Sequence, residues 1–436
     1  MYRVSIGRDA VTALGMLLVF AGLALADDWP GWRGPNRDGV WRETGIIDGF
    51  PSSEIPLKWR APVSNGYSGP TVAAGRVYAT DRLETPEESE RVVCFDADTG
   101  APLWTHAYAA SYRPIGYKDG PRASVTVADG LAYSLGAVGH LRCLDAATGE
   151  VVWKKDPGVD YEVALPIWGL APAPLVEGDL LIVQIGVPGG GCLIAWDKRT
   201  GKERWRALDD PASYSAPVII EQAGRRVLVC WAGDHIAGLN PVTGEVYWKF
   251  ATPRSKEVIN VPTPVFSGDR MFLTSVYDGS YMLRLGQDTP TVELLWHRKG
   301  ESEMRSDALH AMISTPLFLG DYVYGVDCYG QLRCLDAANG DRVWEDVTLV
   351  PQRRWATIHM VQNGPITWMF NELGELIIAR LSPEGCQQVS RALFIEPTRG
   401  QLGRGEGVCW THPAYANRCV FVRNDVELVC ASLAAE

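Results

Sequence analysis

Beyond residue 27 the chain has no apolar run long enough to cross a bilayer as a helix, which takes about 20 residues. It also has no basic tract. Lys and Arg number 41 against 52 Asp and Glu, a formal net charge of −11. Duplex nucleic acid is a polyanion and selects basic surfaces, so no nucleic-acid partner is expected. There is no Cys-x-x-Cys and no Cys-x-x-Cys-His, which argues against a dithiol redox motif and covalent haem attachment. The cysteines are scattered from Cys94 to Cys430, unlike the dense framework of a small disulfide-bonded domain. Disorder is excluded by ordinary globular values of 46% hydrophobic and 21% charged residues. No amphipathic helical pattern of useful length is present.

What is abundant is Trp, with 16 copies, and Gly, with 45. Together they suit many short strands joined by tight turns. Residues 1–26 read as a signal peptide. Arg3 and Arg8 begin it, Ala10 to Leu25 form the apolar stretch, and Ala24-Leu25-Ala26 is a cleavage site. The mature protein is then expected to begin at Asp27 and to be exported to the periplasm or cell envelope, with no transmembrane segment. A short membrane anchor is the alternative, because the run approaches the lower length for spanning.

One phrase recurs from Val93 onward. Asp96-Ala97-Asp98-Thr99-Gly100 ends at Trp104, and Asp145-Ala146-Ala147-Thr148-Gly149 ends at Trp153. Further copies end at Trp205, Trp248 and Trp344; the copy at Trp296 is degenerate, and one from Ile378 to Ser390 has lost its Trp. Each copy reads as a strand, a turn and a second strand. The Asp and Thr side chains bond local backbone, and Gly takes the left-handed turn position. A second phrase, such as Ser68-Gly69-Pro70-Thr71-Val72 with Gly75-Arg76-Val77-Tyr78, supplies two more strands per unit. Four antiparallel strands in roughly 40–50 residues is the period of a propeller blade.

The ends set the blade count. The last unit has three strands, near 411–416, 418–423 and 426–433, and Leu57–Arg60 is an outer strand with no unit before it. Pairing the two closes the ring and gives an all-β, eight-bladed propeller of four-stranded antiparallel blades, both chain ends sharing the last blade. Seven blades is the alternative, if the unit around Ile378 is not a blade. The expected divisions are the signal peptide at 1–26, an irregular strap at 27–55 and the propeller at 56–436. Trp29, Trp32 and Trp41 in the strap need burial. The segment is expected to lie across the propeller, with a lid over the channel as the other reading.

The phrase Asp-x-x-Thr-Gly-x-x-x-Trp resembles the tryptophan-docking repeat of pyrroloquinoline quinone (PQQ)-like propellers. The opening Trp29-Pro30-Gly31-Trp32-Arg33-Gly34-Pro35 is similar to the start of many bacterial proteins of that type, whose relatives include the outer-membrane assembly factor BamB, a non-catalytic scaffold. The resemblance covers about residues 56–433. It implies that Trp104, Trp153, Trp205, Trp248 and Trp344 dock between blades as structural residues. Quinone-dependent dehydrogenases of the family are longer. They typically use calcium, a catalytic Asp and, in many cases, adjacent cysteines; here the nearest pair is Cys328 and Cys334. The resemblance therefore points to a binding or scaffold protein with no cofactor. Its partner is an envelope protein or a small molecule. A PQQ dehydrogenase and a carbohydrate-active propeller are the alternatives.

A propeller's ligands sit at the channel mouth, on the loops that lead into inner strands. There the candidate ligand-binding residues are Arg122, Trp168, Arg354, His359, Arg399 and His412. Arginine forks with aromatic faces suit an anionic or planar ligand. The bland reading is that the arginines pair locally and the aromatics fill blade contacts. His359 and His412 fall at similar points of adjacent blades, but no third metal ligand is evident. Asp119 is a general base in principle, although an Asp beside Gly usually forms a turn. An Asn424-Asp425 turn would set Cys419 opposite Cys430.

Overall fold

The structure, a computed structural model, describes Met1 and residues 27–161, 163–403 and 405–435. The expected signal segment falls outside this set apart from Met1. The described residues form eight four-stranded antiparallel sheets. Blade 1 comprises Thr71–Ala73, Arg76–Leu83, Ser89–Asp96 and Pro102–Ala109, from channel to rim. Blade 7 comprises Ile358–Asn363, Ile366–Asn371, Glu375–Ser382 and Gly385–Leu393, so the unit around Ile378 is a full blade. Blade 8 is composite: Ala414–Ala416, Cys419–Arg423 and Glu427–Ser432 are completed by Leu57–Pro62, which pairs antiparallel with the last of them. Among the described residues the one helical element is a single turn, Pro157–Asp160. No described helix is long and apolar enough to span a membrane.

The repeat phrase has a uniform geometry. Asp96 Oδ1 accepts the Asp98 and Thr99 amides and the Thr99 hydroxyl, and Asp145 and Asp197 do the same in their blades. These bonds hold all three carboxyls below the usual range. Trp104, Trp153 and Trp344 each lie opposite a cysteine of the neighbouring strand, namely Cys94, Cys143 and Cys334. The small residue leaves room for the indole. All ten cysteines are free thiols, nine of them buried.

Each indole then reaches into the next blade. Trp104 Nε1 donates to the Ala146 carbonyl at 3.2 Å, Trp153 to Lys198 at 3.0 Å and Trp205 to Pro241 at 3.2 Å. The turn glycine of that blade lies under the ring. At Gly149 an added Cβ would stand 2.5 Å from Trp104 Cε3, and at Gly201 2.8 Å from Trp153 Cδ2. Trp248 has no such glycine ahead of it. Its Nε1 instead donates to Gln222, whose amide reaches the Gly286 and Thr291 carbonyls of blade 5.

Blade 7 carries Ser390 where the other blades carry Trp, in the same register opposite Ile378. Residues 27–55 cover that gap. Ser390 Oγ accepts the Phe50 amide at 2.9 Å, and Leu393 exchanges backbone bonds with Ser53 and Ile55. Trp29 pairs with Val72 of blade 1, and Trp41 bonds Gln362 of blade 7. Between these contacts Arg37 enters the channel. Its guanidinium donates to the Ala173, Pro174 and Pro217 carbonyls.

The C-terminal hairpin departs from the expected register. Arg423 pairs with Leu428 and Phe421 with Cys430, so Cys419 faces Ser432 instead of Cys430. The Asn424 amide bonds the Glu427 carbonyl, placing Asp425-Val426 at the tip. The cause is the Asn424 side chain, whose Oδ1 accepts the Val426 and Glu427 amides and so moves the tip one residue toward the C-terminus. Diagonal neighbours lie about 7–8 Å apart, beyond ordinary disulfide reach.

Candidate binding cavity in the central channel

The channel holds a cavity of about 170 Å³ between the loops that lead into the inner strands and the strap. All eight blades contribute, because the same loop of each blade points inward. Tyr67, Ser124, Trp168 and Tyr214 line it ahead of blades 1 to 4; Val261, Met312, His359 and Trp410 line it from blades 5 to 8. Trp32 of the strap forms the floor, its Nε1 donating to Thr263 Oγ1 at 2.8 Å and its ring edge-on to His412 at 4.6 Å.

Four of the six residues singled out from sequence line this cavity: Arg122, Trp168, His359 and His412. Arg354 and Arg399 do not. Arg354 lies over the Trp355 ring at 4.0 Å and pairs with Glu303 at 3.0 Å, and Arg399 is exposed. Arg122 turns its guanidinium to the Gly116, Tyr117 and Gly120 carbonyls and stacks on Tyr67 at 5.0 Å. It fastens its own loop with the donors a ligand would need.

The two histidines are neutral at pH 7. Burial lowers His359 to about 4, and burial followed by the neighbouring His359 lowers His412 to about 3. His359 Nε2 donates to the Trp410 carbonyl at 2.8 Å. His412 bonds Ser124 Oγ at 2.7 Å through Nε2. Their rings are 6.1 Å apart, and no group of three or more His, Cys, Asp and Glu able to hold a metal occurs among the described residues.

Asp119 does not reach the cavity. Its carboxyl is buried under the rim; burial first, then the facing Asp425, raise it to about 8, against Arg423 and Arg122. Asp425 Oδ2 accepts the Gly400 amide at 3.0 Å and the Thr398 hydroxyl. These two carboxyls converge, but beneath the Gly400 loop. Among the described residues, no acidic side chain is on the cavity wall.

Sequence reasoning named Trp168 and aromatic stacking, but put the weight on the arginines and did not name the rest of the aromatic wall. Tyr67, Tyr117, Tyr214, Trp355 and Trp410 all line it. The available signal was their shared position, each in the loop ahead of an inner strand, as for Trp168.

Residues 88–346, more than half of the chain, match the family model described as outer membrane protein assembly factor BamB. The chain belongs to the BamB family of PQQ-like repeat propellers. The relatives it resembles include two kinds of protein. BamB of Burkholderia pseudomallei is 26% identical over 271 residues, covering 57% of this chain and 65% of that protein. Polyvinylalcohol dehydrogenase of Sphingopyxis is also 26% identical, over 220 residues, 47% of this chain and 32% of that enzyme. The chain thus spans 65% and 32% of these relatives' own lengths. Among solved structures, BamB of Moraxella catarrhalis superposes with a TM-score of 0.55 at 17% identity, over 87% of this chain and 99% of that one. A europium-containing methanol dehydrogenase superposes with a TM-score of 0.66 at 13% identity, over 92% and 90%. Both share the fold.

Proposed function

We propose that this protein is an exported, non-catalytic propeller of the cell envelope that acts by binding, as a scaffold of the BamB kind. The observation that carries the reading is the chemistry of the cavity wall. Among the described residues it offers no carboxylate, its one arginine is committed to backbone carbonyls, and its two histidines are neutral and fastened by hydrogen bonds. A general base needs a free site within reach of a substrate proton. Export through cleavage after Ala26 belongs to the same proposal.

The alternative, a quinone-dependent dehydrogenase, draws on relatives with that name. The wall does not fit the cofactor. PQQ is a fused tricyclic tricarboxylate, and a quinone site of that kind needs cations to hold it and carboxylates to hold a bridging metal. Among the described lining residues, one engaged arginine and no acid supply neither. The test is dye reduction by the purified protein with added PQQ and calcium, using simple alcohols and sugars. No turnover is expected. Stoichiometric quinone binding with turnover that disappears in Arg122→Ala overturns the proposal in favour of the dehydrogenase.

A further inference from the structure

Aromatic rings stand at both ends of the cavity. Trp32 is the floor. The roof is built by Tyr117, Trp168 and Trp355. Trp168 leads into blade 3 and Trp355 into blade 7, on opposite sides of the ring, yet their centroids are 6.4 Å apart. Tyr117 stands edge-on to Trp168 at 5.7 Å, and its hydroxyl accepts the Trp355 indole N–H at 3.2 Å. The roof therefore meets across the channel through side chains alone.

Two of these residues hold a left-handed backbone. Tyr117 has φ +51° and Trp355 φ +74°. Bulky residues seldom adopt it, and such strain gathers at ligand clamps. Tyr117 is also 37% exposed, on a loop that Arg122 ties back at its base. The hydroxyl–indole bond is thus a single latch between a surface ring and the opposite wall.

Size and charge narrow the occupant. A cavity of about 150 Å³ holds one benzene, and this one is about 170 Å³. A cation would meet Arg122 with no acid on the wall. An anion would find Arg122 already bonded and two uncharged histidines. A sugar would find few partners for its hydroxyls, since Ser124 is taken by His412. A flat apolar ring would find ring faces and edges on several sides, the arrangement that aromatic pairs favour.

We propose that the cavity receives one neutral, single-ring aromatic group, and that Tyr117 is the gate. This rests on reading the cavity as a binding site and names its ligand class. The group arrives either as a free small molecule or as an aromatic side chain of a partner protein.

Three fluorinated probes of near-equal ring size test this by fluorine NMR on the full mature chain: fluorobenzene, 4-fluorobenzoate and 4-fluorobenzylammonium. Fluorobenzene is expected to bind at least about tenfold tighter than either ion. Ala216→Leu, which fills part of the cavity, should weaken it about tenfold. Tyr117→Ala should speed fluorobenzene exchange several-fold, and this surface variant keeps the test open if Ala216→Leu fails to fold. Competition by N-acetyl-phenylalaninamide supports the ring class and assigns it to a partner's side chain; its exclusion, with fluorobenzene bound, supports a free small molecule. Equal or tighter binding of an ion, unchanged fluorobenzene affinity in a folded Ala216→Leu, or no binding by both wild type and Tyr117→Ala overturns the inference. Loss of ring binding without dye reduction sinks this inference alone. Dye reduction alongside ring binding sinks only the non-catalytic reading.

Discussion

Replacing Trp153 by Ala tests the inter-blade dock most directly. The indole lies over Gly201 of blade 3, and its N–H bonds the Lys198 carbonyl at 3.0 Å. A buried Trp removes about 150–250 Å² from water, and at about 25 cal/mol per Å² that is roughly 4–6 kcal/mol as an upper bound. Ala keeps its Cβ, and measured Trp-to-Ala costs are about 3–5 kcal/mol. The hydrogen bond adds little, because Lys198 O still accepts the Tyr133 hydroxyl at 3.1 Å. We therefore expect about 3–5 kcal/mol in urea denaturation followed by far-UV circular dichroism. The sharper test is a cycle with Gly201→Ala. Gly201 has φ +67°, and a Cβ there would sit 2.8 Å from the Trp153 ring. With Trp153 present the substitution incurs both strain and overlap; without it, only the strain of about 1–2 kcal/mol. The two changes should therefore couple by about 1–2 kcal/mol. A Trp153→Ala cost under about 1 kcal/mol, or additivity within about 0.3 kcal/mol, would refute docking as the force that holds neighbouring blades.

Ser390→Trp should restore the blade 7 indole at the expense of the strap. Gly49 and Phe50 occupy that space, so a stability loss of about 1–3 kcal/mol is expected, with faster proteolysis within residues 42–55; a variant as stable and as protected as wild type would contradict the gap-filling role. Asp119→Asn should help stability most at high pH. The wild-type carboxyl is raised from 3.8 to about 8, so the native state keeps a proton that the unfolded chain loses, and stability falls as pH climbs between those values. The gap in melting temperature between variant and wild type should then widen from pH 5 to pH 8; a constant gap would show that Asp119 does not titrate against Asp425.

The blades were legible because their signal is redundant. Asp, Thr, Gly and Trp each serve one physical step of the same turn, so most copies identify themselves; the copy at Ile378 to Ser390 keeps only the Gly, which is why seven blades stood as the alternative. Closure was legible because Leu57–Arg60 had no partner of its own, and it pairs at Val429–Ala431. The hairpin at Asn424 was misread because Asn-Asp is a good turn dipeptide on local grounds. Which two residues occupy the tip was decided by the Asn424 side chain capping Val426 and Glu427, a choice that composition does not reveal. The cavity was half legible. Its loops were found from their place ahead of inner strands, but the arginines drew attention because charge is visible in a sequence. Whether a guanidinium meets a ligand or its own loop carbonyls, as Arg122 does, depends on backbone geometry.

The lost indole of blade 7 and the closed floor of the cavity share one cause. A ring of eight docks would need no strap. With Ser390 in place of Trp, the contact from blade 7 to blade 8 lacks its indole, and that is the blade where both chain ends meet. Residues 27–55 answer this by bonding Leu393 of blade 7 and Leu433 beyond blade 8 before entering Leu57–Pro62. The segment starts at Trp29 against Val72 of blade 1, beside blade 8, and crosses the channel to Thr263 ahead of blade 5 before it returns to Gln362 of blade 7. Crossing sets Arg37 among the Ala173, Pro174 and Pro217 carbonyls, just ahead of two inner strands, and Trp32 against His412. An open hole between the blades thereby becomes a blind, aromatic-walled pocket. The segment that secures the weakest joint of the ring also defines the depth of its cavity.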